Sequence, residues 1–253
     1  MNAPPLSDSA SRTNTFRWFS WNASGPIFCL VLALLVFATW AFPQDAAWSH
    51  ALTLDPANPA SSTIQAAISV IKSFGRGQIL VLVALLLGAA GRRKTAIQIL
   101  VAGIVMMLVV TAIKHGVGRV RPNLGPHSFP SGDTATAFAM AIPMLVAMRA
   151  WWLRTLILCV AVLVGLGRVV EGWHFPSDVA AGAAVGCLSG WSALCFTGQS
   201  WWKWTFSWFY RRSWRWWLGS ALIFWILAGF GVLIVQIVYP RPPGAPSQTL
   251  LGS

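Results

Sequence analysis

Long apolar runs dominate this chain and decide what it can fold into. Stretches close to the length that crosses a bilayer as a helix, about twenty residues, lie near residues 26–43, 77–91, 95–114, 132–149, 152–170, 175–196 and 217–239. Only 9% of the residues are charged, against about 25% in an ordinary soluble domain. The sequence therefore predicts an all-α, polytopic membrane bundle of seven helices, with no separate soluble domain.

The apolar runs also divide the chain into three parts. We expect residues 1–25 to be a disordered cytoplasmic tail, 26–239 a single transmembrane domain and 240–253 a flexible outer tail. The first segment lacks the basic and apolar regions of a cleaved signal peptide, so we expect it to stay attached. Apolar residues at helical spacing between Ser62 and Phe74 predict a short helix on the outer surface.

Basic residues predict the orientation, because lysine and arginine concentrate in cytoplasmic loops. With the amino terminus inside, four basic groups share one side: Arg12 and Arg17; Arg92, Arg93 and Lys94; Arg149 and Arg154; Lys203, Arg211, Arg212 and Arg215. We therefore expect a multi-pass protein of a bacterial-type inner membrane, with the segments around residues 44–76, 115–131 and 169–175 on the outer, periplasmic face.

The net charge of +12 does not indicate nucleic-acid binding, because the basic residues are scattered among apolar segments. Tryptophan and basic residues alternate over 201–217, which predicts an interfacial anchor or, as the alternative, a lipid-headgroup site. The four cysteines lie in apolar stretches without metal-ligand spacing, so we expect packing roles, no metal and no cofactor. The oligomeric state stays open.

A second set of ionisable residues lies at the outer ends of the spans, where orientation does not require them. Such residues cost about 2.5–3.5 kcal/mol at the centre of a membrane helix, so they mark functional sites. The set comprises Lys114, His115, Arg119, Arg121, His127, Asp133, Arg168, Glu171, His174 and Asp178. Cations, a nucleophile and a proton donor at one membrane face are what phosphoryl transfer needs.

The spacing of these residues has a recognisable form. Lys114 is followed by six residues and then Arg121-Pro122; residues 128–132 read Ser-Phe-Pro-Ser-Gly; Arg168 is followed by His174 and then by Asp178. Over residues 60–196 the chain resembles the type-2 phosphatidic acid phosphatases (PAP2) and the related vanadium haloperoxidases. The latter are soluble, which favours the membrane branch. The resemblance implies a six-helix core, to which the seventh span would be an addition.

The resemblance also implies roles. The phosphate would be held by Lys114, Arg121, Arg168, the Ser131 hydroxyl and the Gly132 N–H. His174 would attack phosphorus, and Asp178 would accept a hydrogen bond from it; residues four apart share a helix face, which supports the pair independently. Simpler alternatives stay open: His174 and Asp178 could satisfy each other at a helix start, and Lys114 could reach lipid headgroups, as could Arg121.

Four further residues lie outside the motif positions. We expect Arg119 to contact headgroups or the surface, Glu171 to pair with an arginine, and His115 and His127 to have plain loop roles.

Asp133 is where the sequence departs from the family, in which a histidine follows the glycine and protonates the leaving group. Nearby cations and a helix amino terminus favour an ionised aspartate, which cannot donate a proton until phosphate binds. A phosphate monoester that leaves from a diphosphate is a weaker base than an alkoxide and needs less protonation to leave. The substrate would then be a lipid diphosphate, such as undecaprenyl diphosphate. Alternatively, Asp133 only caps the helix, or His127 is the donor.

The expected function is therefore a lipid phosphatase acting through a phosphohistidine. Two alternatives stay open: a phosphotransferase that passes the phosphoryl group to a lipid or lipid A acceptor, and a non-catalytic lipid-phosphate binder.

Overall fold

The computed structural model describes residues 21–54 and 59–198, together with residues 213, 215, 216, 218–220, 222 and 223. Within these ranges the chain forms eight α-helices: α1 Trp21–Ala41, α2 Asp45–Leu52, α3 Pro59–Lys72, α4 Gly77–Ala89, α5 Arg93–Val117, α6 Gly132–Ala147, α7 Trp151–Val170 and α8 Pro176–Gly198. The predicted seventh span, both tails and the stretch 201–217 lie wholly or mostly outside the described residues.

Each of the first six predicted spans coincides with a helix, so the all-α prediction is confirmed. Four described segments are long and apolar enough to cross a membrane alone: Gly25–Leu52, Arg93–Val117, Trp151–Val170 and Pro176–Gly198. The helices α3 and α4 meet at a bend of 62° and together would make a fifth span. Helix α6 has 16 residues, about 24 Å of helix against about 30 Å of hydrocarbon.

The short helix predicted before the second span is present as α3, and it lies against α7. The side chain of Ile68 occupies the space beside Gly167, where a Cβ would lie only 2.9 Å from it. A glycine on α7 therefore lets α3 approach closely.

Helix α8 lies at the centre of the bundle, in contact with α1, α5, α6 and α7. Its glycines at positions 182, 186 and 190 face α6, and a Cβ on any of them would lie 2.4–2.6 Å from an α6 or Ser131 atom. Because these Cβ atoms are missing, the backbones of α6 and α8 come close together, as small residues permit in membrane bundles. This packing brings the first turns of both helices together at one end of the bundle.

We predict that Gly186→Ala lowers the free energy of unfolding by about 1–3 kcal/mol, the usual cost of overpacking, because its Cβ would meet the Ala135 carbonyl at 2.4 Å. The matched control is Gly116→Ala on α5, where a Cβ meets nothing within 4 Å and should leave stability unchanged or raised. Thermal unfolding in detergent measures both. Equal melting temperatures for the two variants would contradict the packing.

Candidate active site

The predicted site residues meet where α5 and α7 end and α6 and α8 begin. The Ser131 N–H donates to the carbonyl of Asp178 at 3.0 Å, which joins the start of α6 to the start of α8. The Arg168 Nε lies 3.1 Å from the Asp133 carboxylate and joins the end of α7 to α6. The three motif segments of the sequence are therefore neighbours in space.

The carboxylate of Asp178 is fully buried and surrounded by donors. The Ser128 hydroxyl and the Phe175 N–H donate to Oδ2, the latter at 2.9 Å, and the Arg119 guanidinium donates to Oδ1 at 2.9 Å. The His174 Nδ1 lies 3.6 Å from Oδ2. Both oxygens are thus held, and the carboxylate faces the imidazole in a fixed position.

His174 lies in the loop between α7 and α8 and is 2% exposed. Burial lowers the pKa of its imidazole to about 4, and the positive charges of Arg168 and Arg121 act in the same direction, while the contact with Asp178 opposes them. The ring is therefore neutral at physiological pH. With a proton on Nδ1 facing Asp178, Nε2 would carry the free lone pair.

Arg168 is 3% exposed and lies between two carboxylates. Its Nε forms the ion pair with Asp133, and its Nη1 is 3.5 Å from Glu171, which also accepts a hydrogen bond from Lys72 at 2.7 Å. The expected pairing of Glu171 with an arginine is confirmed. A chain of alternating charges thus connects α3 to α6: Lys72, Glu171, Arg168 and Asp133.

Lys114 and Arg121 both turn towards the loop between α5 and α6. The Lys114 Nζ donates to the carbonyl of His127 at 3.1 Å, and the Arg121 Nε donates to the carbonyl of Pro126 at 3.0 Å. The Nδ1 of His127 lies 3.1 Å from the Lys114 carbonyl, so its ring holds the end of α5. Burial, with the charge of Arg168, lowers the pKa of Arg121.

Trp173 brings two of the predicted phosphate ligands together. The guanidinium carbons of Arg121 and Arg168 lie 5.5 and 5.2 Å from the centroid of its ring. Cations at this distance are attracted by an indole ring. The residue before His174 therefore gathers two cations whose charges would otherwise repel each other.

Ser131 and Gly132 form the start of α6. Ser131 precedes the helix and is fully buried, with its Oγ 2.9 Å from that of Thr134, while Gly132 is the first helical residue. The free N–H groups and the positive end of the helix dipole make such a position favourable for an anion. The phosphate-binding role of both residues stays a prediction, and the Ser131 hydroxyl is engaged with Thr134.

The prediction for Arg119 was wrong. Its guanidinium forms ion pairs with Asp45 and Asp178, both at 2.9 Å, and the side chain is only 15% exposed. The rings of Phe42 and Phe175 lie over it at 4.2 and 4.1 Å. Neither acid partner is near Arg119 in the sequence, so spacing alone assigned it to the surface.

Sequence reasoning missed Asp45 and Ser177. Asp45 is 1% exposed, accepts the Ser177 N–H at 3.1 Å and also accepts the Ser177 hydroxyl. A signal was available, because Asp45 is one of six acidic residues in the chain and directly follows an apolar span.

Comparison with known proteins gives consistent results. Residues 95–202 match the PAP2 superfamily. The Escherichia coli protein named "Putative undecaprenyl-diphosphatase YbjG" is 30% identical over 157 residues, which are 54% of this chain and 79% of that protein. A lipid A 1-phosphatase of Porphyromonas gingivalis is 39% identical over 110 residues, 41% of this chain. That match spans only 25% of the longer relative.

A solved structure shares the fold. The crystal structure of a transmembrane PAP2-type phosphatidylglycerolphosphate phosphatase from Bacillus subtilis superposes with a TM-score of 0.56 and 24% sequence identity. The match covers 69% of this chain and 95% of that one.

We predict that His174 titrates near pH 4, below its ordinary pKa of 6.5. Because folding depresses this pKa, protonation favours the unfolded chain: the stabilisation is complete above pH 6.5 and is lost as the pH falls towards 4. An NMR titration of protein with ¹⁵N-labelled histidine measures the midpoint, and His174→Gln assigns the signal. A midpoint between pH 6 and 7 would show that the imidazole is not buried as described.

Proposed function

Because the chain belongs to the PAP2 superfamily, as its motifs predicted, we propose that it is a membrane lipid phosphatase that works through a phosphohistidine at His174. The observation that carries this proposal is a buried, neutral imidazole 3.6 Å from a buried carboxylate, in the field of two arginines. A held nucleophile beside fixed cations is what phosphoryl transfer requires.

The proposed reaction has two steps. The Nε2 lone pair of His174 attacks the terminal phosphorus, and a phosphohistidine forms as the bond from that phosphorus to the leaving-group oxygen breaks. The leaving group is a lipid alcohol from a monophosphate and a lipid monophosphate from a diphosphate, and it takes the proton of Asp133. Water then attacks phosphorus and gives a proton back to Asp133, the bond from phosphorus to Nε2 breaks, and inorganic phosphate leaves the restored imidazole. Asp178 would keep the proton on Nδ1 and stabilise the positive ring that forms during attack. The 3.6 Å separation is long for a hydrogen bond, and catalytic hydrogen bonds of this kind commonly tighten when substrate binds.

The clamp for the phosphate oxygens would combine charge with backbone donors. Its proposed members are Lys114, Arg121, Arg168, Ser131 and Gly132. Fixed positive groups stabilise the charge that spreads over the equatorial oxygens in the transition state, and they need no reorganisation when placed in advance. The shared Trp173 ring beneath both arginines supports this arrangement.

Asp133 is the proposed proton donor to the leaving group. Its carboxylate pairs with Arg168 at 3.1 Å. A bound phosphate would compete for the same guanidinium and repel the carboxylate, so the ion pair of Asp133 with Arg168 would loosen when substrate binds.

An apolar groove of about 570 Å³ next to the site supports a lipid substrate. It is lined by α1, the end of α5 and α8, and its walls include Phe42 and Phe129. Phe129 lies within the Ser-Phe-Pro-Ser-Gly motif, and the ring of Phe42 lies over Arg119. A hydrocarbon chain in this groove would bring its phosphate to the clamp.

The weak proton donor favours a lipid diphosphate as the substrate. One relative is named as an undecaprenyl-diphosphatase and another as a lipid A 1-phosphatase, so both lipid classes are reasonable substrates. A phosphotransferase would share the phosphohistidine and differ only in the acceptor. The phosphotransferase is the second candidate, because the described residues include no recognisable acceptor site.

We also propose that the site faces the periplasm of a bacterial inner membrane, in a core of six spans followed by a seventh. The Arg92 guanidinium contacts the carbonyl of Ala147 at 3.3 Å, so the basic loop before α5 and the loop after α6 share the end opposite the site. Basic loops favour the cytoplasm.

We predict that purified protein releases phosphate faster from undecaprenyl diphosphate than from phosphatidate, because the lipid monophosphate that leaves the diphosphate needs less protonation than the alkoxide that leaves phosphatidate. Released phosphate is measured over equal concentrations of both lipids in mixed micelles. His174→Ala is the control and should release none from either lipid. A clear preference for phosphatidate would contradict the leaving-group argument, while equal release by His174→Ala would refute the nucleophile.

We predict that Asp133→Asn lowers kcat by about 10²-fold on phosphatidate, within the range that a general acid provides, and by less on the diphosphate. His127→Ala should keep most of its activity, because it is the backbone carbonyl of His127 that holds Lys114. Full activity of Asp133→Asn on both lipids would show that Asp133 is not the acid. A loss confined to His127→Ala would assign the proton to that ring.

A further inference from the structure

Two residues outside the three motif patterns form a bridge to the orienting carboxylate of the site: Arg119, which is half-buried, and Asp45, which is buried. Arg119 donates through Nη1 to Asp178 and through Nη2 to Asp45, both at 2.9 Å, so one guanidinium bridges two carboxylates. Asp45 is the first residue of α2, which comes directly after the first span and its short 3₁₀ turn. The bridge therefore ties the catalytic end of α8 to the amino-terminal part of the chain.

The bridge is rigid. The guanidinium plane is packed between the rings of Phe42 and Phe175, and Nη1 also donates to the Ser177 hydroxyl at 2.8 Å. Asp45 accepts two hydrogen bonds from Ser177, one from its backbone N–H in the first turn of α8. Arg119 therefore cannot turn away from Asp178 without breaking several contacts.

The charges of the buried groups explain why the bridge needs both Asp45 and Arg119. A buried carboxylate without a partner is strongly unfavourable, and Asp45 and Asp178 are each no more than 1% exposed. Arg119 neutralises one of the two charges and shares its donors between both. Removing the charge of Asp45 would leave Arg119 with one carboxylate, so the guanidinium would move and pull Asp178 with it.

We propose that Asp45 and Arg119 are positioning residues that act through Asp178 to keep the ring of His174 in one orientation and one tautomer. This inference rests on the proposed function, in which His174 is the nucleophile. Neither residue belongs to the proposed phosphate clamp: Asp45 is linked to His174 through Arg119 and Asp178, and to the first turn of α8 through Ser177. A role limited to anchoring α2 against α8 is the alternative that the experiment must separate.

The first measurement compares Asp45→Asn with wild type. The amide keeps the shape of the side chain and an acceptor for the Ser177 N–H but loses its charge. We expect kcat to fall about tenfold to a hundredfold, as for other residues that orient a catalytic group, with KM within about twofold. The matched control is Thr197→Val, which removes a buried hydrogen bond to Gln98 at 3.0 Å. It should lower the melting temperature and leave kcat unchanged.

The second measurement places Asp45→Asn in an Asp178→Asn background. If Asp45 acts through Asp178, the second substitution lowers the residual rate no further, because coupled residues are not additive. The same fold loss in both backgrounds would overturn the proposal. So would a wild-type kcat in Asp45→Asn accompanied only by a lower melting temperature, which is the result expected of an anchor.

A third measurement does not depend on turnover. The ¹⁵N shifts of labelled histidine report which nitrogen of His174 carries the proton. We expect a single tautomer in wild type and a mixture in Asp45→Asn; an unchanged tautomer would count against the relay. If wild type released no phosphate from any lipid tested, the proposed function would fail, and these shifts would still decide whether Asp45 positions the ring.

Discussion

The buried carboxylate of Asp178 is the constraint on which the rest of the site depends. An ionised group in a membrane bundle is tolerated only when donors surround it, and here they come from separate parts of the chain. Ser128 lies before α6, Arg119 follows α5 and the Phe175 N–H precedes α8. Satisfying one charge therefore fixes two loops against each other. The geometry that holds the imidazole follows from the same requirement.

Packing and electrostatics support each other at this point. The glycines of α8 allow its backbone to reach the start of α6, and the Ser131 N–H then meets the carbonyl of Asp178 at 3.0 Å. A bulkier face on α8 would separate the start of α6, where we propose that phosphate binds, from Asp178, the proposed orienting residue. The small residues would thus serve the proposed chemistry as well as the fold.

Local patterns in the sequence predicted most of the fold and the motif half of the site. Apolar runs located six helices, and the four-residue spacing of His174 and Asp178 predicted that their side chains lie near each other. The site contacts that the sequence did not predict join residues that are far apart in the chain. Asp45 lies 74 residues from Arg119 and 132 from Ser177, and no periodicity reports a contact over such a separation. Without its acid partners, Arg119 looked like an ordinary interfacial cation.

The acidic residues of the chain are concentrated around the candidate site. Of six in the chain, four lie in this one region: Asp45, Asp133, Glu171 and Asp178. They compensate cations that would otherwise repel each other in a poorly solvated setting. The cations of the proposed phosphate clamp and its surroundings are therefore partly balanced by carboxylates of the protein itself.

The ion pair between Arg168 and Asp133 has a consequence for selectivity. The guanidinium has one carboxylate at 3.1 Å and a second at 3.5 Å, so the protein supplies its own counter-ions. An incoming anion must compete with these carboxylates for the guanidinium, which weakens its binding. A free phosphate ion has only its charge to set against this competition, whereas a lipid adds the burial of its hydrocarbon chain. The same two carboxylates would compete with the inorganic phosphate left after turnover, and this competition would favour release of the product.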